Sequence, residues 1–159
     1  MSDSRSNSQI FWDRCLQQMS ASGAVLDTSA LLAILLDEPE RRAFTEAIEA
    51  AEVRLLCAAT FLETSMILES RHGAEGVRAL DRLLGAAHVE IVAVDLEQAT
   101  AAREAFRQFG KGRHPAGLNF GDCFSYALAK CRSEPLLFKG GDFSLTDVLI
   151  GAGPLPAGK

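Results

Sequence analysis

No two of the four cysteines (Cys15, Cys57, Cys123, Cys131) stand in a C-x-x-C pair, and the three histidines (His72, His88, His114) are scattered without ligand spacing. That argues against a zinc centre. The cysteines read as buried thiols of a reducing compartment. Positive charge is also short: 16 Lys and Arg against 21 Asp and Glu leave a net charge of −5. No overall field draws nucleic acid to such a chain. Any contact with nucleic acid must use a local basic patch, or cations that offset local carboxylates. There is no apolar run long enough to span a membrane. The opening stretch "MSDSRSNSQIFWDRCLQQMSASG" is polar and Ser-rich, without the apolar segment of a signal peptide. Together these absences point to a cytoplasmic protein with no membrane partner.

The 159 residues are 48% hydrophobic and 23% charged, an ordinary globular balance and enough for one domain with a real core. No repeat, low-complexity block or linker divides them. Residues 1–22 read as an N-terminal extension, 23–150 as the domain, and 151–159 as a flexible tail. Within the extension, Trp12, Leu16 and Met19 fall at i, i+4, i+7, which suits a short docking helix. Disorder, with Met19 as the translation start, suits the same stretch.

Short apolar runs alternate with helical patterns. Strands are predicted at "AVL" (24–26), "VRLLCAA" (53–59), "HVEIVAV" (88–94) and "PLLFK" (135–139). Helices are predicted at "TSALLAILLDE", at "PERRAFTEAIEAAE" with Pro39 in its first turn, at "TFLETSMILESRHG" and at "AEGVRALDRLLGAA". Two more follow, "LEQATAAREAFRQF" capped by Asp95, and "DCFSYALAKCR". Thr60 and Glu63 have capping-box spacing, and Gly73 marks a helix exit. Strand–helix alternation argues for an α/β fold with a mostly parallel sheet covered on both faces.

The acids fall beside the strand ends. Asp27 follows the first strand, Glu63 opens the helix after the second, Asp122 opens the helix "DCFSYALAKCR", and Asp142 follows the last strand, with Asp147 five residues on. Each alone has an ordinary explanation as a helix cap or turn residue. Together they would crowd the edge where open parallel sheets bind ligands. Crowded carboxylates repel one another unless a cation neutralises them. An all-carboxylate set suits magnesium, with manganese as a substitute, better than zinc or copper. A metal-bound water is a nucleophile precursor, and a phosphodiester is the natural target.

Four blocks, "VLDTSALLAILLDEPE", "FLETSMILE", "LNFGDCFSYALAK" and "LLFKGGDFSLTDV", resemble in order the acidic blocks of the PIN domain, and most closely those of the VapC ribonuclease toxins of toxin–antitoxin pairs. The departures are the N-terminal extension and Gly141, where relatives often carry Asn. The resemblance implies a three-layer α/β/α sandwich and a magnesium-dependent ribonuclease acting on single-stranded RNA. It also implies a cognate antitoxin and a homodimer. On that pattern Asp27, Glu63, Asp122 and Asp142 form the catalytic and metal-binding quartet. Asp27 and Asp122 would ligate directly. Asp142 would complete the site or bind a second ion, and Glu63 would act through water. Thr28, Ser29 and Thr146 would hold carboxylates in place.

Arg103, Arg107, Lys111, Arg113 and His114 form a basic run before Asp122 and, with Lys139, suit RNA phosphates; a solvated helix face explains them equally well. Two rival functions stand beside the nuclease. A phosphatase of the haloacid dehalogenase type would use Asp27 as nucleophile and "GGDFSLTD" as metal motif, but would want an acid where Ser29 stands. A PIN domain that binds RNA or protein without chemistry is the other.

Overall fold

The computed structural model describes residues 23–154 together with Gln9. The extension or docking helix expected within residues 1–22 lies, Gln9 apart, outside the described residues, as do residues 155–159 of the tail. The first strand, β1 (Gly23–Leu26), is "GAVL" and is buried throughout. A strand covered on both faces carries such a continuous apolar run. It sits inside a four-stranded sheet ordered β3-β2-β1-β4, with β2 at Val53–Cys57, β3 at Glu90–Val92 and β4 at Leu136–Leu137. Every pairing in it is parallel.

Successive strand residues point to opposite faces, and both faces are filled. Val25, Leu55, Cys57 and Leu136 enter one core with Tyr126 and Leu128. Leu26, Leu56 and Leu137 enter the other with Leu31, Phe44, Leu68 and Leu80. Three helices supply the second core: α1 (Thr28–Leu35), α2 (Arg41–Ala50) and α3 (Ala58–Ala86). Two supply the first: α4 (Leu96–Phe109) and α5 (Phe120–Arg132). The result is the expected three-layer α/β/α sandwich.

Several boundaries differ from the sequence-based expectation. The strand expected at 88–94 is three residues long, and His88 adopts φ 50 as the chain leaves α3. The strand expected at 135–139 shortens to Leu136–Leu137. Strand β2 stops at Cys57, because Ala58 and Ala59 join the helix; alanine is the best helix former. Pro39 lies before α2 rather than in its first turn, with Glu40 at the N-cap. As expected, Gly73 separates two helices: it is non-helical at φ 59 and breaks the Ala58–Ala86 run there. Glycine takes that conformation without steric cost. Cys57 and Cys123 are buried as expected, whereas Cys131 is only partly so. Past β4, the Gly151 N–H donates to the Leu136 carbonyl at 2.9 Å.

Leu56 is fully buried where β2 meets α3, whereas Leu62 on α3 is 58% exposed. Leu56→Ala is expected to cost about 2–5 kcal/mol, and Leu62→Ala within about 0.5 kcal/mol. Urea denaturation followed by circular dichroism would measure both.

Candidate active site

Strand order reverses between β1 and β4: the chain leaves β1 towards β2 and β3, and returns on the other side of β1 as β4. At such a switch point the connections diverge and leave a crevice beyond the carboxyl ends of the strands. Asp27 is the first residue after β1, and Asp142 follows β4. Glu63 comes from the second turn of α3, and Asp122 from the first turn of α5. The fold therefore brings the four acids to one edge.

Asp27 is only 5% exposed. Its Oδ2 accepts hydrogen bonds from the Ser29 amide at 3.0 Å and the Ser29 hydroxyl at 2.6 Å. Its Oδ1 accepts from the Ser125 hydroxyl at 2.7 Å. Ser29 was expected in this role; Ser125 was not. Within the apolar run "CFSYALA" a lone serine carries no signal except its spacing, one helical turn beyond Asp122. The Ser29 hydroxyl also accepts from the Lys139 amide at 2.9 Å, tying the end of β4 to Asp27.

The capping box expected between Thr60 and Glu63 does not form. Helix α3 begins at Ala58, so Thr60 lies inside its first turn with its hydroxyl 3.1 Å from that of Ser125. Glu63 is thereby free of a cap. Its half-buried carboxylate interacts instead with the Thr28 hydroxyl. Thr28 in turn lies 3.1 Å from the Thr64 hydroxyl. Burial raises the pKa of Glu63 and the charge of Asp27 adds to the rise, while the Thr28 hydrogen bond opposes it. A side chain at position 121 would overlap the Glu63 carboxylate. Gly121 thus leaves the gap through which Glu63 reaches the start of α5.

Asp122 does what an acid at a helix N-terminus should. It accepts from the Asn119 amide at 2.9 Å, while its own amide donates to the Asn119 side chain at 2.9 Å, a reciprocal capping box. Its pKa nevertheless rises from 3.8 to about 6. Burial is the main cause, followed by the charges of Asp27, Glu63 and Asp142; the Asn119 bond opposes them. All three other acids therefore act on Asp122.

Other expected residues are occupied elsewhere. Asp147 takes hydrogen bonds from the Tyr126 hydroxyl at 2.5 Å and the Lys130 ammonium at 3.1 Å, a clasp on the flank of α5. Burial pushes its pKa up, but those two partners outweigh it and hold it below the usual range. Thr146 donates to the Phe143 carbonyl at 2.7 Å. Lys139 is held by Glu38 at 2.5 Å and Glu40 at 3.1 Å, which removes it from the set of unpaired cations. His114 accepts from the Ala116 amide at 3.1 Å and packs edge-on to Phe109.

The donor chemistry fits a hard divalent cation. Among the described residues none of the four acids forms an ion pair with Lys or Arg. Nor do any three Asp, Glu, His or Cys side chains there already stand close enough to share one ion. The cluster is an open set of oxygens rather than a closed cage.

A parallel α/β sandwich with an acidic switch-point crevice is open to more than one chemistry. Comparison with known proteins narrows it: the model of the PIN domain matches residues 24–149. Ribonuclease VapC30 of Mycobacterium tuberculosis is 55% identical over 130 residues, 82% of this chain and 99% of the relative. Among solved structures, Mycobacterium tuberculosis VapC20, described as a sarcin–ricin loop cleaving toxin, superposes with a TM-score of 0.63 at 18% identity, covering 80% of this chain and 99% of that one. A toxin–antitoxin complex from Klebsiella pneumoniae matches with a TM-score of 0.55 at 19% identity, over 80% of this chain and all of its own. The chain belongs to the PIN-domain family, and within it to the VapC-like ribonuclease toxins. The phosphatase reading falls with this assignment, and Ser29 is committed to holding Asp27.

Unfolded, Asp122 titrates near 3.8, and folded near 6. A folded pKa above the unfolded one favours the fold below about pH 4, and that contribution is lost as pH rises through about 6. At pH 7.5 the charged Asp122 therefore opposes folding of the metal-free chain. Asp122→Asn keeps the acceptor for the Asn119 amide and removes the charge. Discounted for solvent screening, the gain is about 1 kcal/mol, or about 2–4 °C in Tm. Calorimetry with EDTA at pH 7.5 and pH 4 should show the difference at the higher pH alone.

Proposed function

We propose that this protein hydrolyses phosphodiester bonds of single-stranded RNA with a divalent cation held by Asp27, Asp122 and Asp142, and with Glu63 acting through water. The observation that carries the reading is the convergence of Asp27, Glu63 and Asp142 on Asp122, with none of the four in an ion pair with Lys or Arg among the described residues. Magnesium fits this donor set, and manganese is an acceptable substitute. When bound, the ion neutralises the cluster and acidifies a coordinated water. Asp27 is immobilised by its two serines and defines the fixed point of the site. Asp122 is fixed from the opposite side by its capping box. Glu63, half-buried and close to Gly121, would orient the attacking water.

The relatives' names support an RNA substrate and an antitoxin partner. A protein antitoxin is the proposed partner, as in the Klebsiella complex. A homodimer and a cytoplasmic RNA substrate complete the reading. Lack of chemistry, as in a purely binding PIN domain, is disfavoured because all four acids are present and converge.

The purified chain, freed of any antitoxin, should cleave an RNA pool with magnesium and stop with EDTA. Asp27→Asn and Asp122→Asn should each lower kcat at least 100-fold, a loss of about 3 kcal/mol in transition-state stabilisation. Magnesium should also raise the Tm of the unsubstituted chain but not of Asp122→Asn, since only a ligand bound by the folded state stabilises it. Intact RNA cleavage by folded Asp122→Asn would refute the assignment.

Ser125→Ala leaves the Asp27 Oδ1 without its 2.7 Å donor. Loss of a hydrogen bond to a buried charge costs about 1.5–3 kcal/mol. A weaker magnesium-induced rise in Tm and a higher magnesium requirement for cleavage are expected, and Ser125→Thr should restore both in part.

A further inference from the structure

We propose that the cavity between α4 and α5 receives one unstacked base of the RNA beside the scissile bond, with Phe120 as its stacking platform. The proposal rests on the ribonuclease reading above and adds to it the place where a substrate base sits.

Phe120 is 80% exposed and Phe106 41%. Single exposed apolar side chains need no explanation, but these line one cavity. It has a volume of about 370 Å³ and is bordered by Arg103, Phe106, Phe120, Cys123 and Phe124, among others. The Phe120 and Phe124 rings meet edge to face at 5.0 Å and 76°. Phe120 and Cys123 bracket Asp122 in the first turn of α5. The cavity and Asp122 thus share the first turn of α5.

The walls select the occupant. The lining is apolar and aromatic, yet Arg103 borders it, and the Arg113 guanidinium lies over the Phe106 ring at 5.1 Å. Among the described residues neither arginine forms an ion pair. An apolar peptide segment would fill the cavity but gain nothing from either exposed guanidinium group. A nucleotide matches both halves, its base against the rings and its phosphate against the arginines. Single-stranded RNA is read in this way, by bases splayed out onto aromatic faces.

The test uses the full chain and a single-stranded RNA oligonucleotide that it cleaves, together with copies carrying one abasic position each. Phe120→Ala should raise KM about 5- to 100-fold, the range for losing one base–aromatic stack, with kcat changed less. Phe120→Trp should restore it. One abasic position near the cleaved bond should reproduce the loss in the unsubstituted chain and add nothing in Phe120→Ala. Arg103→Ala should raise KM and flatten the salt dependence. Because Phe120 is exposed, its removal leaves the core intact, and an unchanged Tm verifies this. Wild-type KM in Phe120→Ala, or cleavage indifferent to every abasic position, overturns the proposal. So does a change confined to self-association in sedimentation velocity, which would assign the surface to a second copy of the chain. If no RNA is cleaved even by the unsubstituted chain, the ribonuclease reading fails. Fluorescence anisotropy with Asp122→Asn then judges the cavity alone, and RNA affinity independent of Phe120 counts against it.

Discussion

A buried carboxylate sets the terms for the rest of the molecule. Asp27 is 5% exposed at the end of a fully buried strand. A charge taken out of water is costly unless hydrogen bonds replace hydration. Three donors do so here, and each comes with an element attached. Ser29 fixes the start of α1 and, through the Lys139 amide, the end of β4. Ser125 brings α5, and the Thr60 hydroxyl beside it brings α3. Four elements thus converge on one side chain by satisfying it. The arrangement that makes Asp27 tolerable is the one that builds the crevice.

The acids that gather around this anchor do not share its comfort. Asp122 is held in a charge state that burial and three neighbouring acids resist, and only the Asn119 bond opposes them. Glu63 is in the same position with Thr28 as its one counterweight. Among the described residues, no arginine or lysine relieves either of them. The cationic side chains nearby are committed elsewhere, Lys139 to Glu38 and Glu40, and Lys130 to Asp147. A fold that pairs its outlying acids and leaves its central ones unpaired retains electrostatic strain at one place. Such strain marks functional sites more often than structural ones.

The broad plan was legible because it depends on short-range pattern. Runs such as "AVL" and "VRLLC" announce buried strands, and the acids that follow them inherit their positions from the sheet. Asp27 and Asp122 also carried their local roles openly, since caps are read from residues two or three positions away. What could not be read depends on contacts between distant segments. Ser125 meets Asp27 across 98 residues, and Lys139 meets Glu38 across 101. The capping box of Thr60 and Glu63 failed for a subtler reason. The spacing of Thr60 and Glu63 is that of a capping box, but two alanines started the helix early and turned the supposed cap inward to Ser125. Asp147 looked like a fifth acid of the site until Tyr126 and Lys130 claimed it.

The crevice and its surroundings are governed by different constraints. The sandwich superposes on its solved neighbours at only 18–19% identity, so its layers accept wide changes in sequence while the strand order holds. Strand order alone brings the ends of β1 and β4 together, and hence Asp27 and Asp142. The rim obeys no such rule. Phe106, Arg113 and Phe120 come from the end of α4, the loop after it and the start of α5, where packing asks little of the side chain. An exposed ring and an unpaired guanidinium there contribute little to folding, so their identity is free to follow the substrate. The rim, free of the packing constraints that fix the crevice, is where the proposed base contact is made.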